Sequence, residues 1–535
     1  MDRQRIIARP GFNRWLVPPA ALAIHLCIGM AYGFSVFWLP LSQLLPGEPA
    51  ATCSDLNLFS ALFTTSCNWR VSDLGWIYTL FFVLLGCSAA IWGGWLEVVG
   101  PRKAAFVAAL CWCGGMLVAA FGIYVHQLWI MWLGSGIIGG IGLGLGYISP
   151  VSTLIKWFPD RRGMATGMAI MGFGGGAMIG APLANFLMQF FHGPDSAGIW
   201  QTFVAMAAIY FVFMMAGAFG YRIPPAGWRP DGWAPAPTAS ASMITHRHVH
   251  LRNAHKTKQF WLIWLVLCLN VSAGIGVIGM ASPMLQEIFG GRLLGLQDVS
   301  FSDLTSAQKA VIAGIAAGFA GLLSLFNIGG RFFWATFSDR IGRKRTYYIF
   351  FALGIVLYVL APTAAHAGSQ VAFVAICCVI VSMYGGGFAC VPAYLADIFG
   401  TQFVGAIHGR LLTAWSTAGI LGPVVVNYLR EFQISAGVPR AQVYDFTMYI
   451  LAGMLALGLV ANLLVRPLGD KWFMTDSEVA ALQAKAVSSL SDHSGSFGIG
   501  RGGLELKVAL AWCAVGIPIL WGVWNTLLST ASLFR

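Results

Sequence analysis

Charge is what this chain has least of. Asp, Glu, Lys and Arg together make up 10% of its 535 residues, against about 25% in soluble domains. So little charge cannot cover a water-soluble surface, and a soluble globular protein is excluded. The motifs that carry chemistry are missing as well. No Gly-x-x-x-x-Gly-Lys-Ser/Thr phosphate loop occurs, so ATP does not drive the protein. No HExxH or CxxC pattern occurs either. Cys111-Trp112-Cys113 and Cys377-Cys378 lie inside apolar runs and read as small core residues. Gly174-Gly175-Gly176 precedes no soluble helix and is no dinucleotide motif. No nucleophile–base set and no metal cluster gathers at one depth, so an enzyme, a cofactor and a metal site are not expected.

Long hydrophobic runs are what is present. Hydrophobic residues reach 58% and mean hydropathy is +0.73. Spans of about 20 apolar residues, enough to cross a bilayer, read at roughly 15–41, 73–96, 104–124, 127–156, 164–191, 199–221, 260–288, 310–337, 346–363, 370–398, 406–429 and 444–466. A thirteenth, 506–533, follows a polar segment. The first span is too long for the core of a cleavable signal peptide, about 7–15 residues. The net charge of +12 would suggest nucleic acid in a soluble protein. Here the cations sit between spans. Connections after even-numbered spans hold Arg102, Lys103, Arg161, Arg162, Arg340, Arg343, Lys344 and Arg345, while those after odd-numbered spans hold few. By the positive-inside rule the N-terminus is cytoplasmic and the protein multi-pass in the inner (plasma) membrane. The lipid bilayer is then its partner, nucleic acid is not, and a monomer is expected.

The chain repeats itself. Asp339-Arg340-Ile341-Gly342-Arg343-Lys344-Arg345 is a cationic turn between two apolar runs. An echo, Glu97-Val98-Val99-Gly100-Pro101-Arg102-Lys103, lies 242 positions earlier. At the same offset Pro150 matches Pro392 and Gly163 matches Gly405. Parallel repeats of this kind mark a membrane transporter. The expected organisation is a six-helix bundle over 1–221, a cytoplasmic linker over 222–258, a second six-helix bundle over 259–467, and a segment over 468–535 carrying the extra transmembrane helix. The linker's alternating histidines, His246, His248 and His250, read as solvated linker rather than a metal site. The outer loop 42–72 holds Cys53 and Cys67, either bonded or free. Residues 475–490 read as a weakly amphipathic helix and 491–503 as a flexible Ser/Gly stretch. Glycines line two spans of the first half, Gly134 to Gly146 and Gly172 to Gly180, and recur as Gly385-Gly386-Gly387. Small residues let membrane helices approach closely, which suits a moving interface.

The two cationic turns resemble the loops between spans two and three, and eight and nine, of the major facilitator superfamily. The resemblance implies that Glu97, Gly100 and Arg102, and Asp339, Arg340, Gly342 and Arg343, form gates at the cytoplasmic side. Glu97 and Val98 stand where that pattern has Asp and Arg, which makes the first gate the weaker. Lys156-Trp157-Phe158-Pro159-Asp160-Arg161-Arg162-Gly163, Asn327-Ile328-Gly329-Gly330-Arg331 and Arg410-Leu411-Leu412-Thr413-Ala414-Trp415 are similar to the oxalate/formate antiporter family. This covers about residues 15–467 and implies a small-carboxylate substrate.

The residues supply a mechanism. Arg331 lies eight positions before Asp339, about 12 Å up a helix and near the middle of a hydrocarbon core about 30 Å thick. Few carboxylates reach that depth, so its guanidinium reads as a cation facing a central cavity, where its fork fits a carboxylate. Pairing with backbone carbonyls is the other reading. Tyr32, Tyr147 and Tyr384 sit near mid-span and can donate hydroxyls. Asn270 and Asn327 bind either a ligand or a neighbouring helix. His25 serves either as a proton shuttle or as a helix–helix hydrogen bond, and protons are a candidate second partner. Oxalate carriers of the family have a lysine after a Thr-Ala pair in span eleven, whereas this chain has Trp415. One cation suits a monoanion, so the expectation is a secondary transporter of formate, lactate or pyruvate type. An oxalate/formate exchanger and a transport-inactive sensor are the alternatives.

Overall fold

A computed structural model describes every residue except 1–2, 10, 42–43, 46–55, 57, 70, 194–197, 226–227, 231–243, 246, 297–298, 488–505 and 531–535. Apolar runs become helices because a segment in hydrocarbon has to satisfy its own backbone. α1 (Val17–Ile28) continues as a 3-10 helix, Gly29–Phe37. α2 (Val71–Val99), α3 (Pro101–Tyr124), α4 (Leu128–Trp157), α5 (Arg162–Phe191) and α6 (Ile199–Gly220) follow. Next come α7 (Lys258–Phe289), α8 (Ser306–Ile341), α9 (Arg343–His366) and α10 (Gln370–Phe399). α11 is in two pieces, Val404–Leu411 and Thr413–Ser435, and α12 spans Asp445–Leu464. α13 (Asp476–Val487) and α14 (Leu506–Thr530) end the described chain.

Among the described residues eleven helices are long and apolar enough to cross a membrane. Of the thirteen expected spans, α8 and α11 are the two outside that set. α8 carries Arg331, Asp339 and Arg340, and α11 is interrupted at Leu412.

The repeat has a structural counterpart. Gly100 closes α2 with φ +86° and Gly342 closes α8 with φ +87°. Glycine takes that conformation without a Cβ clash, so each chain end turns directly into the next helix. Pro150 lies inside α4 and Pro392 inside α10. Within their apolar windows, 39% of residues are buried in α6 and α9, against 72% in α1 and 67% in α10. α1 and α10 are therefore central, while α6 and α9 present apolar side chains such as Val212 and Val356 outward. That is the surface a lipid-facing helix needs.

The expectation of a solvated linker is corrected for 244–245 and 247–250, while His246 and 231–243 lie outside the described residues. Thr245 and Val249 donate backbone N–H groups to Asp397 O (2.7 Å) and Phe399 O (2.9 Å) at the end of α10, and Met474 N donates to His248 O at 2.8 Å. Val249 is fully buried. Free backbone groups pair where a partner is offered, and the end of α10 offers carbonyls. α14 lies against α1, α5 and α8, so it touches both halves of the repeat. Trp512 Nε1 anchors it by donating to Trp15 O at 3.2 Å. At the end of the bundle opposite Asp339, Cys67 is held in a disulfide, while Cys53 lies outside the described residues. His126 stacks on Trp69 at 4.4 Å and bonds Cys67 O at 2.9 Å. Burial pushes its pKa down, against the opposing pull of that bond.

Candidate functional site

Arg331 is fully buried where α5 and α8 meet. Its Nε donates to Asn327 Oδ1 at 2.8 Å and its Nη1 to Ile170 O at 3.2 Å. Nη2 has no hydrogen-bond partner among the described residues. No described carboxylate pairs with it, because the carboxylates near the ends of these helices are engaged elsewhere. Asp339 binds Arg343, Glu97 binds Lys156, and Glu287 binds Arg430 and Arg440. A buried arginine so placed costs several kcal/mol unless a partner or cavity compensates. The faces of Phe173 and Phe388 supply part of that compensation, with Cζ 5.9 and 5.4 Å from their ring centroids. Asn327 therefore serves Arg331 on its own helix, one turn away.

Aromatic rings pack beside the guanidinium. Trp415 is fully buried, with its ring 4.3 Å from Phe388, 5.3 Å from Phe82 and Tyr147, 5.5 Å from Phe173 and 6.4 Å from Tyr32. Tyr32 and Tyr384 join hydroxyls at 3.0 Å, linking the first half to the second. The Tyr32 and Tyr147 hydroxyls stand close enough to the guanidinium to interact with it, though no hydrogen bond of good geometry forms on Nη2 among the described residues. Tyr147 Oη and Trp415 Nε1 also lack partners among the described residues. Structure thus brings Arg331, Asn327, Tyr32, Tyr147, Tyr384 and Trp415 together. Asn270 stands apart, buried against Gly387 of α10. His25 bridges three helices, with Nδ1 on Ala169 O and Nε2 3.2 Å from Tyr147 O.

Sequence reasoning missed His408. It is fully buried, its ring lies 5.9 Å from that of Tyr147, and neither ring nitrogen has a partner among the described residues. The signal was available, since His408 precedes Trp415 by seven residues, two turns along one helix face. Arg410, by contrast, turns to Leu251 O (2.7 Å) and His255 Nδ1 (2.9 Å), away from the site.

At the Asp339 end, carboxylates cross between halves. Asp339 accepts the N–H groups of Gly163 (2.8 Å) and Met164 (2.9 Å) in the first turn of α5. A carboxylate there meets unpaired amides and the positive end of the helix dipole. Arg343 Nη2 donates to Asp339 at 2.6 Å and is flanked by Asp397 at 3.5 Å. Glu97 takes the equivalent place against the first turn of α11. It accepts from Lys156 Nζ at 2.7 Å and Ser152 Oγ at 3.2 Å, and lies 2.8 Å from the point where a Cβ on Gly405 would fall. Two sequence expectations change. The arginine engaging Asp339 is Arg343, while Arg340 is exposed. Among the described residues Arg102 joins no carboxylate, donating instead to Phe219 O (3.1 Å) and Tyr221 O (2.9 Å) at the end of α6, because the α2–α3 turn delivers it to α6.

A helical membrane bundle built on a repeated plan, with a glycine turn at one end of each half and an arginine buried between them, has the architecture of a membrane transporter. The model of the Major Facilitator Superfamily matches residues 49–423, and the chain belongs to that family. It is 28% identical over 285 residues to the oxalate:formate antiporter of Oxalobacter formigenes, a stretch covering 53% of this chain and 59% of the antiporter. It is 23% identical over 451 residues to apicoplast pyruvate carrier 1 of Toxoplasma gondii, covering 72% and 78%. The Escherichia coli fucose:proton symporter has a similar fold, with TM-score 0.55 and 13% identity over 85% of this chain and 100% of that one.

Proposed function

We propose that the protein carries a small monocarboxylate, of formate, lactate or pyruvate type, across the inner membrane by alternating access, with its N-terminus and the Asp339 end in the cytoplasm. The observation that carries this reading is a group of buried donors that make no hydrogen bond of good geometry among the described residues: Arg331 Nη2, Tyr147 Oη and Trp415 Nε1. Unpaired buried donors cost about 1–3 kcal/mol each, and an anion satisfies several at once. A carboxylate placed on Nη2 gains a charge-assisted bond, while the surrounding rings suit a short apolar tail. The antiporter and the pyruvate carrier, whose names specify oxalate, formate and pyruvate, support the substrate class. A thermal-shift screen of purified protein against formate, lactate, pyruvate, oxalate and the corresponding amides tests it. Carboxylates are expected to raise Tm and amides are not; no shift with any carboxylate overturns the reading. Accumulation of labelled substrate in proteoliposomes separates a transporter from a sensor.

Trp415 sets the preference for one negative charge. Trp415→Lys puts a second cation in the pocket. At about 6 Å and an effective dielectric of 20 it attracts a second carboxylate by roughly 3 kcal/mol. The ratio of oxalate to pyruvate affinity is expected to rise at least about tenfold, and an unchanged ratio in paired binding assays refutes the assignment. The variant also loses thermal stability without ligand, because a buried aromatic is replaced by a charge.

Gly163 allows α5 to close on α8. A Cβ there would fall 2.2 Å from Ala335 O, a backbone atom that cannot swing aside. Gly163→Val is expected to favour the conformation open at the Asp339 end. Spin labels at the exposed Arg161 and Arg340 should move several ångströms apart, and an unchanged distance distribution contradicts the gating role.

A further inference from the structure

We propose that α14 is a brace across the seam between the two halves, holding them together at the end opposite Asp339, so that opening there costs one of its contacts. The inference goes beyond the carboxylate reading and needs only that the halves move. Within the apolar window of α14, 17% of residues are buried, so most of its surface faces outward. Its buried positions Val508, Val515, Gly522 and Thr526 recur at spacings of seven and four, which places them in one stripe. At the Asp339 end that stripe lies on the first half. Trp512 Nε1 donates to Trp15 O at 3.2 Å, and Val515 packs with Leu22 and Ala23 of α1, beside Met171 of α5. Trp15 marks the end in question, because its neighbour Arg14 pairs with Asp160 just before α5.

At the opposite end the stripe meets both halves within one turn. A Cβ on Gly522 would fall 3.0 Å from Met178 Cγ and 3.3 Å from Met178 O of α5, while one on Gly321 of α8 would fall 3.1 Å from Thr526 Cγ2. Glycine thus lets α14 sit directly against each half, and such close packing is what holds helices together in hydrocarbon. Met178 is fifteen residues after Gly163, about 22 Å along α5, and Gly321 is eighteen before Asp339, about 27 Å along α8. Toward the Asp339 end α14 leaves α8, since Phe332, on the face of Gly321 three turns further on, is 42% exposed. The helix therefore crosses the seam obliquely. Separating the halves at the Asp339 end leaves its contacts in place. Separating them at the opposite end does not, because Gly522 and Thr526 are about 6 Å apart on one helix and cannot follow α5 and α8 both ways. Pro518 lies between the anchors, and a proline weakens the helix there. With Trp512 held on Trp15, the last turns can bend away with α8, and the contact given up is Gly522 on Met178. A gap of about 1 Å already forfeits up to about half of a dispersion contact, so opening is disfavoured without being blocked.

The test uses the full chain in nanodiscs without substrate. Spin labels at the exposed His192, just after α5, and Asp303, just before α8, read the separation at the end opposite Asp339. Labels carried on ketone-bearing side chains leave the native cysteines untouched. Gly522→Leu puts bulk against Met178 and is expected to move part of the distance distribution several ångströms longer. Thr526→Ala removes the contact with Gly321 without adding bulk and is expected to act in the same direction, which keeps the test intact if Gly522→Leu does not fold. Gly516→Leu, on the same helix where a Cβ meets nothing among the described residues, is expected to leave the distribution unchanged. Unchanged distances in Thr526→Ala and in any folded Gly522→Leu overturn the inference, and so does an equal lengthening in Gly516→Leu. The readout involves no carboxylate, so a protein that lengthens as expected yet binds none loses the substrate reading and keeps the brace.

Discussion

Replacing Arg331 with glutamine is expected to abolish carboxylate binding while leaving a folded, membrane-inserted protein. Gln can still bond Asn327 on the same helix, so local packing survives. What disappears is the one described buried arginine that lacks a carboxylate partner, beside the aromatic cluster. Truncating one partner of a buried charge pair costs about 2–5 kcal/mol, so the affinity loss is at least about thirtyfold. Arg331→Lys keeps the charge but not the planar fork, and a partial defect is expected. Calorimetry or thermal shift with pyruvate reads both variants beside each other. Full transport by Arg331→Gln would remove Arg331 from the site and leave the pocket without its counter-charge.

Replacing Asp339 with asparagine is expected to slow turnover about tenfold or more while changing equilibrium affinity by no more than about threefold. Asp339 lies eight residues from Arg331, about 12 Å along α8, too far to touch the substrate. Its oxygens accept two amides at the start of α5 and the guanidinium of Arg343. Asparagine loses the charge that favours a helix N-terminus, and its amide nitrogen opposes one of the two N–H donors. The closed arrangement at that end weakens by about 1–3 kcal/mol, which alters how often the gate closes rather than how tightly the pocket binds. Exchange rates in proteoliposomes and dissociation constants in detergent separate the two quantities. A collapse of affinity with normal exchange would place Asp339 in the binding site.

The expected spans and the helices agree because hydrophobicity acts locally. The span read at 73–96 lies within Val71–Val99, that at 370–398 within Gln370–Phe399, and that at 506–533 covers Leu506–Thr530. The two glycine turns were legible for the same reason, since only glycine takes φ near +87° there without strain. Arg331 stood out because an arginine in the middle of an apolar run is costly wherever it points.

Partnership was not legible. Arg340 stands next to Asp339 in the chain, yet Arg343 makes the bond, because Gly342 ends α8 between them and its turn brings the first residue of α9 back beside the end of α8, while Arg340 is exposed. The histidine whose nitrogens face backbone carbonyls, His25, and the one whose nitrogens meet no partner among the described residues, His408, look alike in sequence, since what distinguishes them is where the carbonyls of other helices fall. Asp339 meets the start of α5 across 176 positions, and no local pattern encodes that distance. α14 was readable as a span but not as a helix seated against α1, α5 and α8 at once. By itself the sequence determined that this protein crosses the membrane, that its plan is repeated with a glycine turn in each half, and that one arginine lies deep in an apolar run, because each follows from the transfer energy or backbone geometry of a few adjacent residues. Tertiary structure decided which carboxylate caps which helix, which polar atoms are left unpaired beside Arg331, and where the last helix lies, because those depend on packing between segments hundreds of residues apart.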